Sequence, residues 1–165
     1  MPKAALIMGS DSDFDKLKGC IAVLKKFKIE TEVRVISAHR TPSEAESFAK
    51  NAEAEGIEVI IAAAGKAAHL GGVLAAFTIL PVIGIPIKSS TMDGLDSLLS
   101  MVQMPKGIPV ATVAIDGGEN AAILAAQILS LKHDYLKDML KKFKTDMEKE
   151  VLEKDKKIEE IAKSL

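Results

Sequence analysis

Strand-like apolar runs alternate with helix-spaced apolar stripes through most of this chain, and that alternation restricts its fold more than any other feature. Ala4–Met8 is a continuous apolar run, the pattern of a strand buried on both faces of a parallel sheet. Val33–Ile36, Ile57–Ala62, Pro81–Ile87 and Val110–Ile115 supply four further strand patterns. Between them come helix patterns. Phe14, Leu17, Cys20, Ile21, Leu24 and Phe27 share one face, and a helix from Thr41 to about Glu55 is closed by Gly56. A short small-residue helix reaches Phe77, another carries Leu95, Leu98, Leu99 and Val102, and Gly117-Gly118 opens the next, to about Leu131. Five βα units with short connections and no hairpin signal predict an α/β fold: a five-stranded, parallel, doubly wound sheet in the flavodoxin-like order.

The character of the chain changes at Lys132. Leu136, Leu140, Phe143, Met147 and Val151 form a narrow stripe at three- and four-residue steps, surrounded by Lys, Glu and Asp. This predicts a domain over residues 1–131 and an amphipathic helical tail over 132–165. A stripe so thin reads as a seam against a neighbouring subunit rather than as a core helix, the alternative being a solvated helix lying on its own domain. A net charge of -1 and 4% aromatic residues give no electrostatic or stacking footprint for nucleic acid. Met1-Pro2-Lys3 leads into a strand rather than a signal peptide, and no apolar run has the length of a membrane span, so the cytoplasm is the expected compartment. Cys20 falls on the apolar helix face, where it is expected to be a small buried hydrophobe.

Parallel strands all end on one side, so the unusual residues that follow each strand must gather at one edge. Ser10, Ser12 and Asp13 follow the first strand; Ser37, His39 and Arg40 follow the second; Gly65 and His69 follow the third, and Ser89 and Ser90 the fourth. Thr41-Pro42-Ser43-Glu44 reads as a capping box with Pro at the first helical position. His39 and Arg40 therefore sit in the turn between a strand end and a helix start. A His–Arg pair in one loop is by itself an ordinary solvated turn. Here a group that exchanges protons near neutral pH stands beside a permanent cation, which suits chemistry on an anion. The serines ahead of a helix amino end suit a phosphate, and Asp13 suits ribose hydroxyls, so the set reads as a mononucleotide site. Gly65 with its alanine neighbours permits close approach of a ligand, although tight helix–sheet packing asks for the same residues.

The same loops exclude other chemistries. A phosphorelay receiver needs an aspartate where strand three ends in Ala62-Ala63-Ala64. Asp11 and Asp13 form a D-x-D pair of the haloacid dehalogenase kind, but Met8-Gly9-Ser10 separates them from the strand interior and later loops bring no acidic cluster. Three scattered His and one Cys lack zinc spacing, and no Walker loop is present.

Met8-Gly9-Ser10-Asp11-Ser12-Asp13, Ser37-Ala38-His39-Arg40-Thr41-Pro42, Ala67-Ala68-His69-Leu70, and Gly94-Leu95-Asp96-Ser97-Leu98 through Val102-Gln103-Met104-Pro105 occur in an order and spacing that closely resembles the N5-carboxyaminoimidazole ribonucleotide mutase (PurE) family of purine biosynthesis. The resemblance covers about residues 4 to 131. It implies a flavodoxin-like homo-octamer that needs no metal, biotin or ATP. It further implies that Ser10, Asp13 and Arg40 bind the ribonucleotide, that His39 is the catalytic acid–base, and that Gly65 to His69 line a carbon dioxide pocket. His69-Leu70 resembles the branch that moves a carboxyl group, not the branch that adds free carbon dioxide. Lys66 stands where that family usually has a second glycine, and Gly71 where it usually has proline. A nucleotide-binding module without catalysis would use the same loops, but it would have no need of His39.

Overall fold

The computed structural model describes residues 1–165. Five parallel strands, β1 (Lys3–Met8), β2 (Glu30–Val35), β3 (Val59–Gly65), β4 (Val82–Ile87) and β5 (Ala111–Thr112), lie in the order β2-β1-β3-β4-β5. That is the flavodoxin-like order expected from the βα alternation. The helices are α1 (Phe14–Lys26), α2 (Pro42–Asn51), α3 (Leu70–Phe77), α4 (Leu95–Val102), α5 (Gly118–Leu129) and α6 (Tyr135–Lys163).

Successive side chains on the central strands feed separate layers, and those two residues apart share one. Leu6, Met8, Val59, Ile61 and Ala63 pack with Leu17, Leu24, Phe27 and the alanines of α5. Ala5, Ile7, Ile60 and Ala62 pack with Phe48, Leu70, Leu74 and Met101 from α2, α3 and α4. Burial on both faces is the physical reason these strands read as apolar runs. Cys20 is fully buried, and burial pushes its thiol up to about 12, so it is an inert packing group.

The edge strands depart from expectation. β2 begins three residues before Val33, and Val33 and Val35 are 38% and 54% exposed, because it has only β1 as a neighbour. β5 is two residues long rather than six. Beyond it, Val113 N–H donates to the Gly84 carbonyl at 3.0 Å and Asp116 N–H to the Pro86 carbonyl at 2.8 Å. Pro86 has no N–H to return, so the ladder breaks into single bonds there. β3 runs three residues past Ala62, taking in Ala63 on the α1 and α5 side of the sheet and Ala64 on the α2 and α3 side.

The tail is one 29-residue helix, and its stripe divides. Leu136 is buried and Leu140 and Phe143 pack on the chain's own core, with Phe143 edge-on to Phe27 at 5.8 Å. The Tyr135 hydroxyl bonds the carbonyls of Phe27 and Lys28 at 3.3 and 3.0 Å. The first part of the stripe is thus a core face, contrary to its reading as an intersubunit seam. Met147 and Val151 remain exposed, at 42% and 64%.

Candidate active site

Ser10, Ser12, Asp13, Ser37, His39, Arg40, Gly65 and His69 all line one cleft of about 680 Å³. It opens at the carboxyl ends of β1, β2, β3 and β4, the edge at which open parallel sheets present their loops. Ser89 and Ser90 join it, as strand order required. Lys66 lines it too, within the Gly65–His69 stretch expected there, and so does Lys88, which was not assigned to the site from sequence. The signal for Lys88 was position alone, since it directly follows the end of β4.

The β1 loop is fixed before any ligand arrives. Gly9 N–H continues the ladder to the Ala63 carbonyl at 3.0 Å. Ser10 is extended, and its Oγ accepts from Ser12 N–H at 3.3 Å and lies 2.8 Å from Ser12 Oγ. A single 3-10 turn, Asp11–Asp13, then runs into α1. Asp13 makes no capping bond to α1. Burial, with the nearby charges of Asp116 and Asp11, raises its carboxyl above the usual aspartate value, against the opposing pull of Lys16.

The turn after β2 is laced differently from the expected capping box. Thr41 Oγ1 makes no bond to α2; it accepts from Ser37 N–H at 3.0 Å and donates to the Ser37 carbonyl at 3.1 Å. Glu44 pairs instead with Arg34, at 3.4 Å. The hydroxyl found closer backbone partners in its own turn, the competition that makes Thr a turn residue. Pro42 does hold the first helical position. Ser37 Oγ in turn accepts from Arg40 N–H at 3.1 Å and Arg40 Nε at 3.4 Å, and Arg40 Nη2 donates to the Gly9 carbonyl at 3.3 Å. Arg40 therefore bridges the β1 and β2 loops.

His39 and His69 come from different loops and meet in the cleft, with Nε2 of His39 2.9 Å from Nδ1 of His69. Their rings stand edge to face, 5.0 Å apart at 82°. One proton must lie between those two nitrogens, so each ring sets the tautomer of the other. The sequence placed both residues at this edge but gave no sign of the contact.

Two glycine questions are also answered. A Cβ on Gly65 would meet Ile87 at 3.6 Å, an ordinary contact, so protein packing does not demand glycine there. Lys66 has φ +53°, the left-handed conformation in which glycine is the unstrained residue. No three His, Cys, Asp or Glu side chains converge to hold a metal ion.

The cleft thus sets three cations, Arg40, Lys66 and Lys88, against the one carboxylate of Asp13. It adds serine hydroxyls, a pair of imidazoles and a small apolar wall at Ala64 and Ala67. Such a set can bind an anionic ribonucleotide and move a proton on it.

Comparison with known proteins agrees with this geometry. The family model described as AIR carboxylase matches residues 3–150. The chain is 60% identical to the N5-carboxyaminoimidazole ribonucleotide mutase of Pyrococcus abyssi, over 90% of this chain and 86% of that protein. It is 57% identical to the protein of that name from Saccharolobus solfataricus, over 92% and 96% of the two chains. The crystal structure of Treponema denticola PurE superposes with a TM-score of 0.87 at 32% identity, covering 95% of this chain and 98% of that one.

Proposed function

Because the chain belongs to the AIR carboxylase family, we propose that it is a mutase of purine biosynthesis. It moves the carboxyl group of N5-carboxyaminoimidazole ribonucleotide from nitrogen to C4. The observation that carries this reading is His39, a proton carrier fixed by His69 over a wall of small residues, in a chain this similar to two mutases.

In this reading Ser10, Ser12, Ser37 and Arg40 hold the phosphate end, and Asp13 accepts from ribose hydroxyls. His39 gives its proton to the carbamate nitrogen, and the carbon–nitrogen bond breaks to leave aminoimidazole ribonucleotide and carbon dioxide. The freed carbon dioxide rests against Ala64, Gly65 and Ala67. C4 of the electron-rich ring attacks it, forming the new carbon–carbon bond. His39 then removes the C4 proton, which restores aromaticity and returns the imidazole to its starting state. Proton donated and proton recovered balance, so the net change is an isomerisation. Keeping both fragments in one cleft replaces a bimolecular recapture by an intramolecular step.

The homo-octamer and the cytoplasmic setting belong to the same proposal. Leu95, Leu99 and Val102 form an exposed apolar face on α4, each 46% exposed, and Met147 and Val151 leave another on the distal part of α6. Faces of this kind support assembly with further copies. No helix is long and apolar enough to cross a membrane.

The test is isotopic. Pure protein given unlabelled carbamate substrate in labelled bicarbonate should place little label in the product during early turnover. It should also turn over the carbamate faster than aminoimidazole ribonucleotide plus bicarbonate. Full label exchange at early times, with equal rates from both starting materials, would replace the mutase by a carboxylase that draws carbon dioxide from solution.

A further inference from the structure

Lys16 and Asp116 lie outside the cleft, yet both act on a single residue at its rim. Asp116 Oδ1 accepts from the backbone N–H of Lys88 at 2.8 Å. Lys16 Nζ donates to the backbone carbonyl of the same residue at 3.0 Å. The two side chains are themselves paired, with Lys16 Nζ 3.5 Å from Asp116 Oδ2. Lys88 is where β4 ends and the Ser89–Ser90 wall of the cleft begins. Lys16 stands in the first turn of α1, one helical step past Asp13 on the β1 wall.

We propose that Lys16 and Asp116 are positioning residues: their ion pair is a strut that grips both backbone polar groups of Lys88 and fixes the β4 wall of the cleft against the Asp13 wall. The proposal rests on the mutase reading for its kinetic consequence, though not for its geometry.

The neighbouring bonds show why a strut is needed at this point. On either side of Lys88, the Ile87 carbonyl accepts from Ser97 at 2.7 Å, and Ser89 donates to Asp96 at 2.8 Å. Both holds come from α4, so they tie the loop to the helix that follows it and not to the opposite wall. Only Lys16 and Asp116 connect Lys88 to the α1 side. Asp116 also keeps a left-handed backbone, φ +54°, and its N–H bonds the Pro86 carbonyl at 2.8 Å. Aspartate tolerates that conformation better than most residues, so one residue supplies both the turn and the acceptor. The pair is only partly exposed, with side-chain accessibilities of 39% and 33%, and each member is hydrogen-bonded as well as charged.

Asp116→Gly is the discriminating variant, because glycine accepts the left-handed backbone and removes only the carboxylate. It is expected to raise KM for the ribonucleotide by about tenfold or more while kcat stays within about twofold, the size of one lost charge-assisted bond. Lys16→Met should do the same, and the double variant should be little worse than either alone, since both break one strut. Asp116→Asn keeps an acceptor oxygen and the left-handed turn, and should restore KM to within about threefold. Hydrogen exchange gives a readout independent of the chemistry: the Lys88 amide should exchange faster in Asp116→Gly than in the parent. An unchanged KM in both single variants, or unchanged exchange at Lys88, overturns the strut. A loss of melting temperature without any change in KM would reduce the pair to a stabilising contact and overturns it equally. If the parent protein itself fails to turn over the carbamate, the mutase reading falls, and the exchange experiment still decides the strut.

Discussion

β3 has a histidine contact at each end, and the two are built on opposite plans. Above its carboxyl end His39 meets His69, imidazole to imidazole, in an open cleft with no carboxylate bonded to either ring. Just before its amino end Glu58 receives His133 Nε2 at 2.9 and 3.0 Å and Lys132 Nζ at 2.8 Å, while its own N–H bonds the Lys3 carbonyl at 2.9 Å. The second contact is charge-assisted and clamps the turn between α5 and α6 to the sheet. The first is a bond between two groups that each exchange protons, with substrate-sized space beside it. Here the carboxylate-held His133 lies away from the cleft and fastens the tail, whereas the His39–His69 pair faces space for a substrate.

Exchanging the roles by mutation tests this contrast most severely. His39→Asn should lower turnover by about a thousandfold or more, the upper range for losing a general acid–base, with stability within about 0.5 kcal/mol of the parent. His133→Gln should do the reverse: stability falls by about 1 kcal/mol through the lost bond to Glu58, and turnover is unchanged. Steady-state kinetics and urea unfolding on the same two preparations decide it. Near-normal turnover in His39→Asn, or a large kinetic defect in His133→Gln, breaks the comparison.

The same contrast explains what could be read from residues alone. The fold was legible because the central strands are buried on both faces and so carry their burial in composition, as Ala4–Met8 does. Edge strands do not: β5 shrank to Ala111–Thr112 because Pro86, on the neighbouring strand, withholds an N–H. That the eight candidate residues would share one cleft was legible because topology alone brings the ends of parallel strands together. Which partner each side chain chooses was not. Thr41 bonded Ser37 instead of capping α2, and the 2.9 Å contact between His39 and His69 joins residues thirty positions apart. Such choices depend on ångström-scale competition between nearby acceptors, which spacing does not encode. The tail stripe misled for a related reason. Its width described the helix correctly, but Phe27 and its neighbours left an apolar surface on the domain that Leu136 to Phe143 could fill.

The fastener should also show itself in acid. Burial alone would raise the Glu58 carboxyl, but hydrogen bonds from Lys132 and His133, with their charges, outweigh it and hold the group below its ordinary value of 4.5. A carboxyl with a depressed folded-state pKa adds stability that is fully present above the unfolded value and is lost as pH falls through the folded one. The parent should therefore exceed Glu58→Gln in stability above pH 4.5, and that advantage should shrink progressively below it. Denaturant unfolding of both proteins across this range measures the difference directly. An advantage that stays constant from neutral pH into strong acid would show that the Glu58 charge contributes nothing to the clamp.

The smallest effect lies at the open end, in the residue that begins the loop to His69. Lys66 holds φ +53° and lines the cleft, so it combines a strained backbone with a cation. Two substitutions separate these properties, since Lys66→Gly and Lys66→Ala both remove the charge and only glycine relieves the backbone. A left-handed residue with a Cβ is disfavoured by about 1–2 kcal/mol, while glycine gives back roughly 0.5–1 kcal/mol through its freer unfolded chain. Lys66→Gly should thus be more stable than Lys66→Ala by about 0.5–1 kcal/mol, a difference that thermal unfolding resolves. The two variants should share one KM for the anionic substrate, modestly above the parent's, because each lacks the same cation. If alanine proves as stable as glycine, the backbone at this position is not strained and the open end of β3 sacrifices no stability there. If instead KM differs between the two variants, it is the loop conformation and not the charge of Lys66 that the substrate senses.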